Sequence, residues 1–249
     1  MAEARHTLDL LWFPEPPEPK KRGRRPGLTL TQVLDIAIAL ADAEGLDAVS
    51  MRRVSQDLGV VPMTLYTYVP DKAALLALML DRLYLAMPRR ETPDVPWRER
   101  VRAVAEDNRA LFERHPWVAG MPASRPPLGP GLMAKYEHEL QAFAGTGLDD
   151  VETDSALTYV LGFVQGLARA TADTRTAVTR SQQVDYVWLR ERGPILADYV
   201  NEHSYPTAMR VGAAAGAELG GAFNPEHAYA FGLERVLDGL GVFIDQHAG

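Results

Sequence analysis

Five basic side chains stand close together near the start of this 249-residue chain. They are Lys20, Lys21, Arg22, Arg24 and Arg25. The formal net charge of the whole chain is −7, whereas residues 20–90 alone carry +4. A basic segment on an acidic chain is expected when a single part of a protein meets phosphate groups. Taken alone, the run also fits a solvated basic tail, and the residues that follow it separate the two readings.

Hydroxyl and phenol side chains follow in residues 50–69, which read SMRRVSQDLGVVPMTLYTYV. A helix-turn-helix needs an apolar contact between two helices, a glycine at the sharp turn and a second helix with a projecting outer face. Val54 and Leu58 supply the apolar contact, and Gly59 supplies the turn. Leu65 and Val69 anchor the second helix. The pattern predicts a short recognition helix over about Pro62–Tyr68. The alternative is a small helical hairpin that carries surface tyrosines.

The outer face of this predicted helix offers chemistry suited to duplex DNA. Threonine and tyrosine hydroxyls can bond to base edges or phosphates, and Pro62 and Met63 can pack on thymine methyl groups. Arg52 and Lys72 flank the surface and can reach phosphates. Tyrosines two residues apart on so short a helix are hard to bury together, so some of this surface must be exposed. Besides the basic run, the predicted DNA contacts are Ser50, Met51, Arg52, Pro62, Met63, Thr64, Tyr66, Thr67, Tyr68 and Lys72.

Helices must position these residues, because the sequence shows no strand alternation. Thr29 is a suitable N-cap for a first helix that ends at Gly45, and a fourth helix follows Asp71 and ends before Pro88. Further helices are predicted near residues 97–114, 130–145, 150–175, 182–200 and 225–247, with 116–130 mostly irregular and 212–224 a connector or weak helix. The predicted fold is all-α: an N-terminal three-helix helix-turn-helix domain and a larger C-terminal helical bundle that dimerises. The predicted domains are a disordered basic arm over 1–27, the DNA-binding domain over 28–88 and the larger domain over 96–249.

Composition argues against several other classes of protein. The chain has no cysteine and no i, i+4 pair among its histidines, so neither a metal nor another cofactor is predicted. The histidines are His6, His115, His138, His203, His227 and His247. No serine lies in a G-x-S-x-G turn, which disfavours an enzyme, and the intact basic run disfavours an interaction protein that has lost DNA binding. There is no stretch of about 18 apolar residues and no secretory leader, so we expect a cytoplasmic protein without a membrane partner.

Residues 28–88 resemble the DNA-binding domain of the TetR family of bacterial transcriptional regulators. The stretch 59–76, GVVPMTLYTYVPDKAALL, follows the family's glycine-valine turn, its Leu-Tyr-x-(His/Tyr)-(Val/Phe) recognition helix and its Lys-x-x-Leu. The earlier matches are Ala37, Glu44-Gly45 and Arg52. The resemblance implies that outer recognition-helix residues read the major groove, that Tyr66 and Tyr68 contact backbone and bases, and that Lys72 binds phosphate. The basic run resembles the arm that some members lay along DNA.

From about Trp97 onward the chain resembles the ligand-binding and dimerisation domain of tetracycline-repressor-like members of that family. The matching segments are His115-Pro116-Trp117, 124–130 (SRPPLGP), 159–163 (YVLGF) and 231–240 (FGLERVLDGL). The resemblance implies a homodimer in which two helices of each subunit form a four-helix interface. Apolar stripes run along both candidate helices, and burial within one subunit is the alternative for each. One stripe is Leu157, Val160, Leu161, Val164 and Leu167, and the other is Tyr229, Leu233, Val236, Leu240 and Phe243.

The resemblance also implies a mainly apolar cavity for a small-molecule inducer, lined by polar or aromatic side chains on apolar helix faces. The candidates are Asn108, Phe112, His115, Trp117, Tyr136, Glu139, Leu140, Phe143, Leu157, Thr158, Leu161, Gln165 and Trp188, each of which also fits ordinary core or surface. Tetracycline-binding members use a histidine before an Arg-Pro pair to hold magnesium. This chain has Gly120, Met121 and Pro122 there, so magnesium-tetracycline is not expected as the inducer. The resulting hypothesis is a dimeric repressor that leaves double-stranded operator DNA when an unidentified small molecule binds.

Overall fold

The structure, a computed structural model, describes residues 2–13, 28–90, 94–122, 126–181, 187, 191–193, 195–196, 199–200, 204–220 and 223–247. Regular secondary structure in these ranges is helical throughout, which confirms the all-α prediction. No helix in the same ranges combines the length and the apolar character needed to cross a membrane. The chain divides into two units, Met1–Leu157 and Thr158–Gly249.

The chain begins with a helix, α1 (Ala2–Trp12), which corrects the prediction that all of residues 1–27 are disordered. Leu11 is 5% exposed and belongs to the same hydrophobic core as the helices that follow. The indole Nε1 of Trp12 donates a hydrogen bond of 3.0 Å to the carbonyl of Leu128. An isolated helix of 11 residues is marginal in water, so docking rather than local propensity stabilises α1. The basic run lies outside the described residues.

The next four helices are α2 (Leu30–Glu44), α3 (Met51–Asp57), α4 (Pro62–Tyr66) and α5 (Lys72–Ala86), with a 3-10 turn at Leu46–Ala48. As predicted, α2 begins at the N-cap Thr29, which forms a capping box, and ends at Gly45, where φ is +87°. Ser50 and Asp71 cap α3 and α5, because each side chain accepts a hydrogen bond from the backbone N–H three residues on. The inner faces of these helices meet in one core, whose fully buried members include Val33, Ala37, Val49, Val54, Leu65, Val69, Leu75 and Met79.

The first unit continues with α6 (Trp97–Arg114), α7 (Pro116–Ala119), α8 (Pro130–Gln141) and the start of α9 (Asp150–Ser181). The predicted bounds of α6 are correct, whereas α8 ends before residue 145 and α9 extends beyond residue 175. The short α7 adds a helical turn to a segment that the sequence predicts to be mostly irregular. Because α5 packs along α8 and α2 contacts α7, the helix-turn-helix and the first helices of the larger predicted domain form one unit.

The second unit contains the rest of α9, α10 (Pro206–Leu219) and α11 (Pro225–His247). The bounds of α11 are those predicted, while α10 is a regular helix where the sequence predicts a connector or weak helix over 212–224. The helix predicted over 182–200 lies largely outside the described residues. Most of the predicted stripe of α11 is buried in the single chain, namely Tyr229, Leu233, Val236 and Leu240. Tyr229 stacks on Phe163 of α9 with ring centroids 6.0 Å apart, so intramolecular packing explains much of this stripe.

Candidate nucleic-acid interface

The helix-turn-helix consists of α3, α4 and the turn between them. Gly59 closes this turn with a φ of +68°, in a region of backbone conformation that favours glycine. Pro62 occupies the first position of α4, where its missing N–H breaks no intrahelical hydrogen bond. Leu65 and Val69 are fully buried, which confirms the predicted anchors of the recognition helix. A helix of only five residues is therefore held in place by its buried Leu65, by the buried Val69 that follows it and by the turn before it.

The opposite face of α4 is exposed. Its solvent-facing positions are Pro62, Met63, Tyr66 and Thr67, with Thr64 and Tyr68 half-buried. Met63 is 73% exposed and Tyr66 is 47% exposed, whereas Tyr68 packs against the core. The hydroxyl of Thr67 donates a hydrogen bond of 2.6 Å to the carbonyl of Thr64. The two tyrosines are not buried together, as predicted, and Tyr66 is the one that presents its ring to solvent.

Two adjacent arginines on α3 differ in their surroundings. Arg53 lies 2.8 Å from Glu44 and 3.2 Å from Asp57, so its charge is engaged within the protein. Arg52 is exposed, and its side chain makes no hydrogen bond or ion pair with the part of the chain that the structure describes. Lys72 is exposed at the first position of α5. The helices before and after α4 in the chain thus each carry an exposed cation, Arg52 and Lys72, and the contact of these side chains with phosphate groups stays a prediction.

Two predicted DNA contacts have structural roles. Met51 is buried in the core beneath α3, so the prediction that it contacts DNA is wrong. The reason is helical spacing, because Met51 lies on the same inner face as Val54. The hydroxyl of Ser50 is 3.2 Å from the backbone nitrogen that it caps at the start of α3. Contacts from the basic run over 20–25 stay a prediction, because that segment lies outside the described residues.

A buried carboxylate fixes α5 to α8. Asp81 accepts hydrogen bonds of 3.0 Å from Gly131 N and 2.8 Å from Leu132 N in the first turn of α8. A Cβ on Gly131 would overlap the backbone carbonyl of Asp81, so only glycine allows the two helices to approach this closely. Arg89 adds a second link, because its guanidinium donates to two carbonyls of α5, at 2.9 and 3.2 Å, and to one of α8 at 3.4 Å. Sequence reasoning missed Asp81, although it is the one acidic residue in the apolar segment 72–86.

A second carboxylate, Asp42 on α2, binds the corner between α6 and α7. His115 Nδ1 lies 2.8 Å from Asp42 Oδ1, and Trp117 Nε1 donates to the same oxygen at 2.8 Å. The sequence predicts both residues, together with Phe112, as lining of a ligand cavity. In the structure the polar atoms of His115 and Trp117 join helices and Phe112 packs against the main core, and a ligand role for the three residues stays a prediction. The helix α2 is thus bonded to the segment that follows α6.

A small polar pocket lies where the end of α5 meets α6 and α8. Its lining includes Asn108, Lys135, His138 and Glu139. Lys135 Nζ lies 2.7 Å from the carboxylate of Glu139, to which the amide of Asn108 also donates, and all three side chains are buried. Buried charges persist only when they are paired in this way. The structure therefore brings together two predicted ligand residues, Asn108 and Glu139, and adds Lys135, which sequence reasoning missed.

Tyr84 lies beside this polar cluster, and Lys135 Nζ is 5.3 Å from the centroid of its ring. Burial is the main cause that raises the pKa of Tyr84 to about 12, and the negative charges of Glu139 and Asp81 act in the same direction. The phenol is therefore neutral throughout the physiological range. The end of α5 consequently presents a neutral ring to the ammonium group of Lys135.

The other predicted ligand residues differ in their exposure. Phe143 and Leu157 are buried, Leu140 is half-buried and Tyr136 is exposed. The hydroxyl of Tyr136 lies 2.6 Å from Asp154 Oδ1, a hydrogen bond that raises the pKa of Tyr136. In the second unit Thr158 is exposed, while Leu161 and Gln165 are half-buried, and Trp188 lies outside the described residues. A ligand role for these residues stays a prediction.

The arrangement as a whole defines a class of protein. Within the described ranges no three His, Asp or Glu side chains are grouped so that they could hold a metal ion. What the first unit does present is a short exposed helix on buried anchors, a glycine turn before it and exposed cations on the helices before and after it. These are the parts of a helix-turn-helix DNA-binding protein.

Two family models match the chain. The model described as "Bacterial regulatory proteins, tetR family" matches residues 33–79. The model described as "Tetracyclin repressor-like, C-terminal domain" matches residues 88–244, which is more than half of the chain. The chain therefore belongs to the TetR family of bacterial transcriptional regulators, as the resemblance of its recognition helix predicts.

Individual proteins agree with this assignment. The HTH-type transcriptional repressor DrrR1 of Streptomyces coeruleorubidus is 38% identical over 98% of this chain and 87% of its own length. An HTH-type transcriptional regulator of Saccharopolyspora erythraea is 30% identical over 76% of this chain and 78% of its own length. The crystal structure of the Streptomyces coelicolor TetR family protein ActR in complex with (S)-DNPA has a TM-score of 0.69 and 25% identity, covering 86% of this chain and 98% of that one. These similar proteins are regulators and not enzymes, in agreement with the class of protein predicted from the sequence.

Proposed function

We propose that this protein is a dimeric transcriptional repressor that binds a two-fold operator when free of ligand and leaves it when a small molecule binds. The observation that carries the proposal is the exposed outer face of α4 above the fully buried Leu65 and Val69. In a two-fold dimer the two recognition helices would enter successive major grooves of a palindromic site. The similarity to DrrR1, a repressor, supports repression as the direction of control. Because the target is chromosomal DNA, its place of action is the cytoplasm.

The proposed contacts fall into two groups. Exposed residues of α4, with Met63 and Tyr66 foremost, meet base edges and the adjoining backbone. Arg52, Lys72 and the basic run over 20–25 neutralise phosphates, which makes the affinity depend steeply on salt. Because Arg53 is engaged with two carboxylates, it is not part of the proposed set.

Fluorescence anisotropy with the full-length protein and duplexes from the region upstream of its own gene tests operator binding. Tyr66→Ala should weaken specific binding by at least about tenfold, because it removes a ring from the DNA-facing surface. Tyr205→Ala is the matched control, since Tyr205 is also exposed and lies in the second unit, far along the chain from the recognition helix. The proposal is refuted if the protein shows no salt-sensitive and sequence-selective affinity for duplex DNA.

The dimer part of the proposal is supported by glycines on the outer faces of α9 and α11. Gly162, Gly166 and Gly239 are exposed, and a Cβ at any of them would meet no atom within 4 Å in the single chain. Glycine inside a helix costs about 0.5–1 kcal/mol relative to alanine, so packing within one chain gives no reason to keep it there. Close approach of a helix from a second subunit gives such a reason, and the exposed ring of Phe231 adds apolar surface to the same unit.

Light scattering coupled to gel filtration tests the dimer. The open space around Gly162 means that Gly162→Leu should fold normally as a single chain and shift the mass toward that of one subunit. Gly162→Ala is the matched control and should have a smaller effect, because it adds one methyl group instead of a branched side chain. Equal masses for the wild type and both variants at every concentration would argue against an interface on this face of α9.

The ligand part of the proposal depends on the polar pocket between α5, α6 and α8. ActR, which is similar to this chain, has been crystallised with the small molecule (S)-DNPA. The enclosed space in the pocket is about 10 Å³, far below the usual range of roughly 300–1,000 Å³ for ligand sites, so a ligand would have to open it. Widening would displace the end of α5, and α5 leads directly back to the recognition helix. A ligand releases DNA only if it binds the displaced state more tightly than the DNA-bound state.

A thermal-shift screen of aromatic and polar small molecules, followed by anisotropy with operator DNA, tests this step. For each compound that stabilises the protein, the ratio of operator Kd with and without the compound measures release. In Asn108→Ala that ratio should fall toward one, because Asn108 lines the pocket, whereas Met133→Ala, at an exposed position on α8, should keep the wild-type ratio. A compound that binds equally well with and without operator DNA would refute release by this route.

A further inference from the structure

The start of the recognition helix is the most apolar exposed surface of the helix-turn-helix region. Between residues 28 and 84, the exposed large hydrophobic side chains are Val61, Met63 and Tyr66. Val61 is 65% exposed at the N-cap of α4, and Met63 is 73% exposed two residues further on. Apolar side chains gathered in this way at a surface mark a binding site more often than a chance exposure. In a helix-turn-helix, the N-terminal residues of the recognition helix are also those that contact base edges.

The same segment lacks the side chains that read most bases. Residues 60–68, VVPMTLYTY, contain no arginine, lysine, asparagine, glutamine, aspartate or glutamate. Arginine and lysine read guanine, asparagine and glutamine read adenine, and acidic residues read cytosine, each by hydrogen bonds in the major groove. The hydroxyl proton of Thr67 is donated to the carbonyl of Thr64, so it is not available to a base. Apart from the hydroxyls of Thr64 and Tyr66, the leading part of α4 therefore presents methyl, methylene and thioether surface.

We propose that Val61 and Met63 read thymine in each operator half-site by packing on its C5-methyl group. This inference rests on the proposed function, since it names the chemistry by which the same helix selects its DNA. The C5-methyl of thymine is the apolar feature of the major groove, so it is the complement of an apolar helix start. Methionine suits such a contact because its flexible thioether adapts to an irregular surface. The operator should therefore hold thymine, on one strand or the other, at the base pairs that face the start of α4.

Replacing thymine with deoxyuridine removes the methyl group and keeps every hydrogen bond of the base pair. A buried methyl group contributes enough to change Kd about fourfold, so the same replacement in both half-sites should weaken binding roughly fifteenfold. The duplex for this test is selected from a random library with the full-length protein, and each thymine pair related by the two-fold axis is then replaced in turn. One or two positions should show the full loss, while the remaining thymines serve as internal controls.

Protein variants then assign each loss to a side chain. In Met63→Ala or Val61→Ala, the affinity difference between the thymine and uracil duplexes should shrink to less than about twofold at the position which that side chain contacts. Met133→Ala removes an exposed methionine from α8, outside the recognition helix, and should keep the full difference. Because Met63 and Val61 are exposed and the side chain of Val61 makes no capping hydrogen bond, neither variant should impair folding.

The outcomes separate this inference from the function on which it rests. If a sequence is selected but no thymine position loses more than about twofold with uracil, methyl reading is wrong and operator binding stands. If the uracil losses are the same in wild type, Met63→Ala and Val61→Ala, they come from the shape of the DNA and the assignment to these side chains is overturned. If the library yields no selected sequence, the proposed function fails and this inference fails with it.

Discussion

Replacement of Asp81 with alanine removes the contact that joins α5 to α8, and its cost can be worked from the geometry. The buried carboxylate accepts two backbone hydrogen bonds, at 3.0 and 2.8 Å, from the first turn of α8. A hydrogen bond to a charged group contributes about 1.5–3 kcal/mol, and loss of an N-terminal capping side chain costs about 1 kcal/mol. Because these contributions overlap, we expect Asp81→Ala to reduce the free energy of unfolding by about 3 kcal/mol per chain. For a chain of this length that corresponds to a Tm lower by about 10 °C.

Thermal unfolding followed by circular dichroism, at one fixed protein concentration, measures this effect. Asp35→Ala is the matched control, because Asp35 forms an exposed ion pair with Arg82 and should cost less than about 1 kcal/mol. Asp81→Asn retains one oxygen acceptor and should fall between wild type and Asp81→Ala. If Asp81→Ala and Asp35→Ala lower Tm equally, the buried contact does not hold α8 against α5 and the reasoning is refuted.

Three further predictions test other parts of the structure. Arg52→Gln should reduce the slope of log K against log[salt] for operator binding by about two per dimer, whereas Arg53→Gln should leave it unchanged; a wild-type slope in Arg52→Gln would contradict the phosphate contact. Because the pKa of Tyr84 is raised from 10.0 to about 12, the stabilisation it provides is complete below pH 10 and is lost as the pH rises through 12. Between about pH 9 and about pH 12, the free energy of unfolding measured with urea should fall by about 2 kcal/mol less in Tyr84→Phe than in the wild type. An equal fall in both proteins would exclude Tyr84 as the source of this loss. Leu11→Ala should cost about 3 kcal/mol and Leu8→Ala less than about 1 kcal/mol, because only Leu11 is buried; equal Tm values would show that α1 does not dock in solution.

Local patterns explain which parts of the fold could be predicted from the sequence. The anchors Leu65 and Val69, the turn at Gly59 and the cap at Thr29 all depend on residues within one or two helical turns of each other. The N-terminal helix was missed because its stability comes from docking: Leu11 enters the core and Trp12 bonds to a carbonyl 116 residues away. Propensity over so short a segment, followed at once by prolines, gives no sign of such a partner.

The candidate site could likewise be predicted from the sequence only where it depends on residues close together along the chain. Exposure on α4 follows from helical spacing, and so does the burial of Met51, which shares the inner face of α3 with Val54. The bonds from Asp42 to His115 and Trp117 span 73 and 75 residues, and those from Asp81 to α8 span 50 and 51. Contacts at such separations depend on how the helices pack against each other. Residue spacing along the chain does not specify that packing.

These two carboxylates also indicate how ligand binding would reach DNA. Asp42 ties α2 to the end of α6, and Asp81 ties α5 to the start of α8, so the DNA-binding helices are bonded to both walls of the polar pocket. A ligand that separates α6 from α8 cannot leave both contacts intact unless α2 and α5 separate as well. Since Leu65 and Val69 lie in the core that α2 and α5 share, such a movement would tilt α4. Recognition of duplex DNA depends on the position of α4, so the proposed release requires no contact between the ligand and the recognition helix.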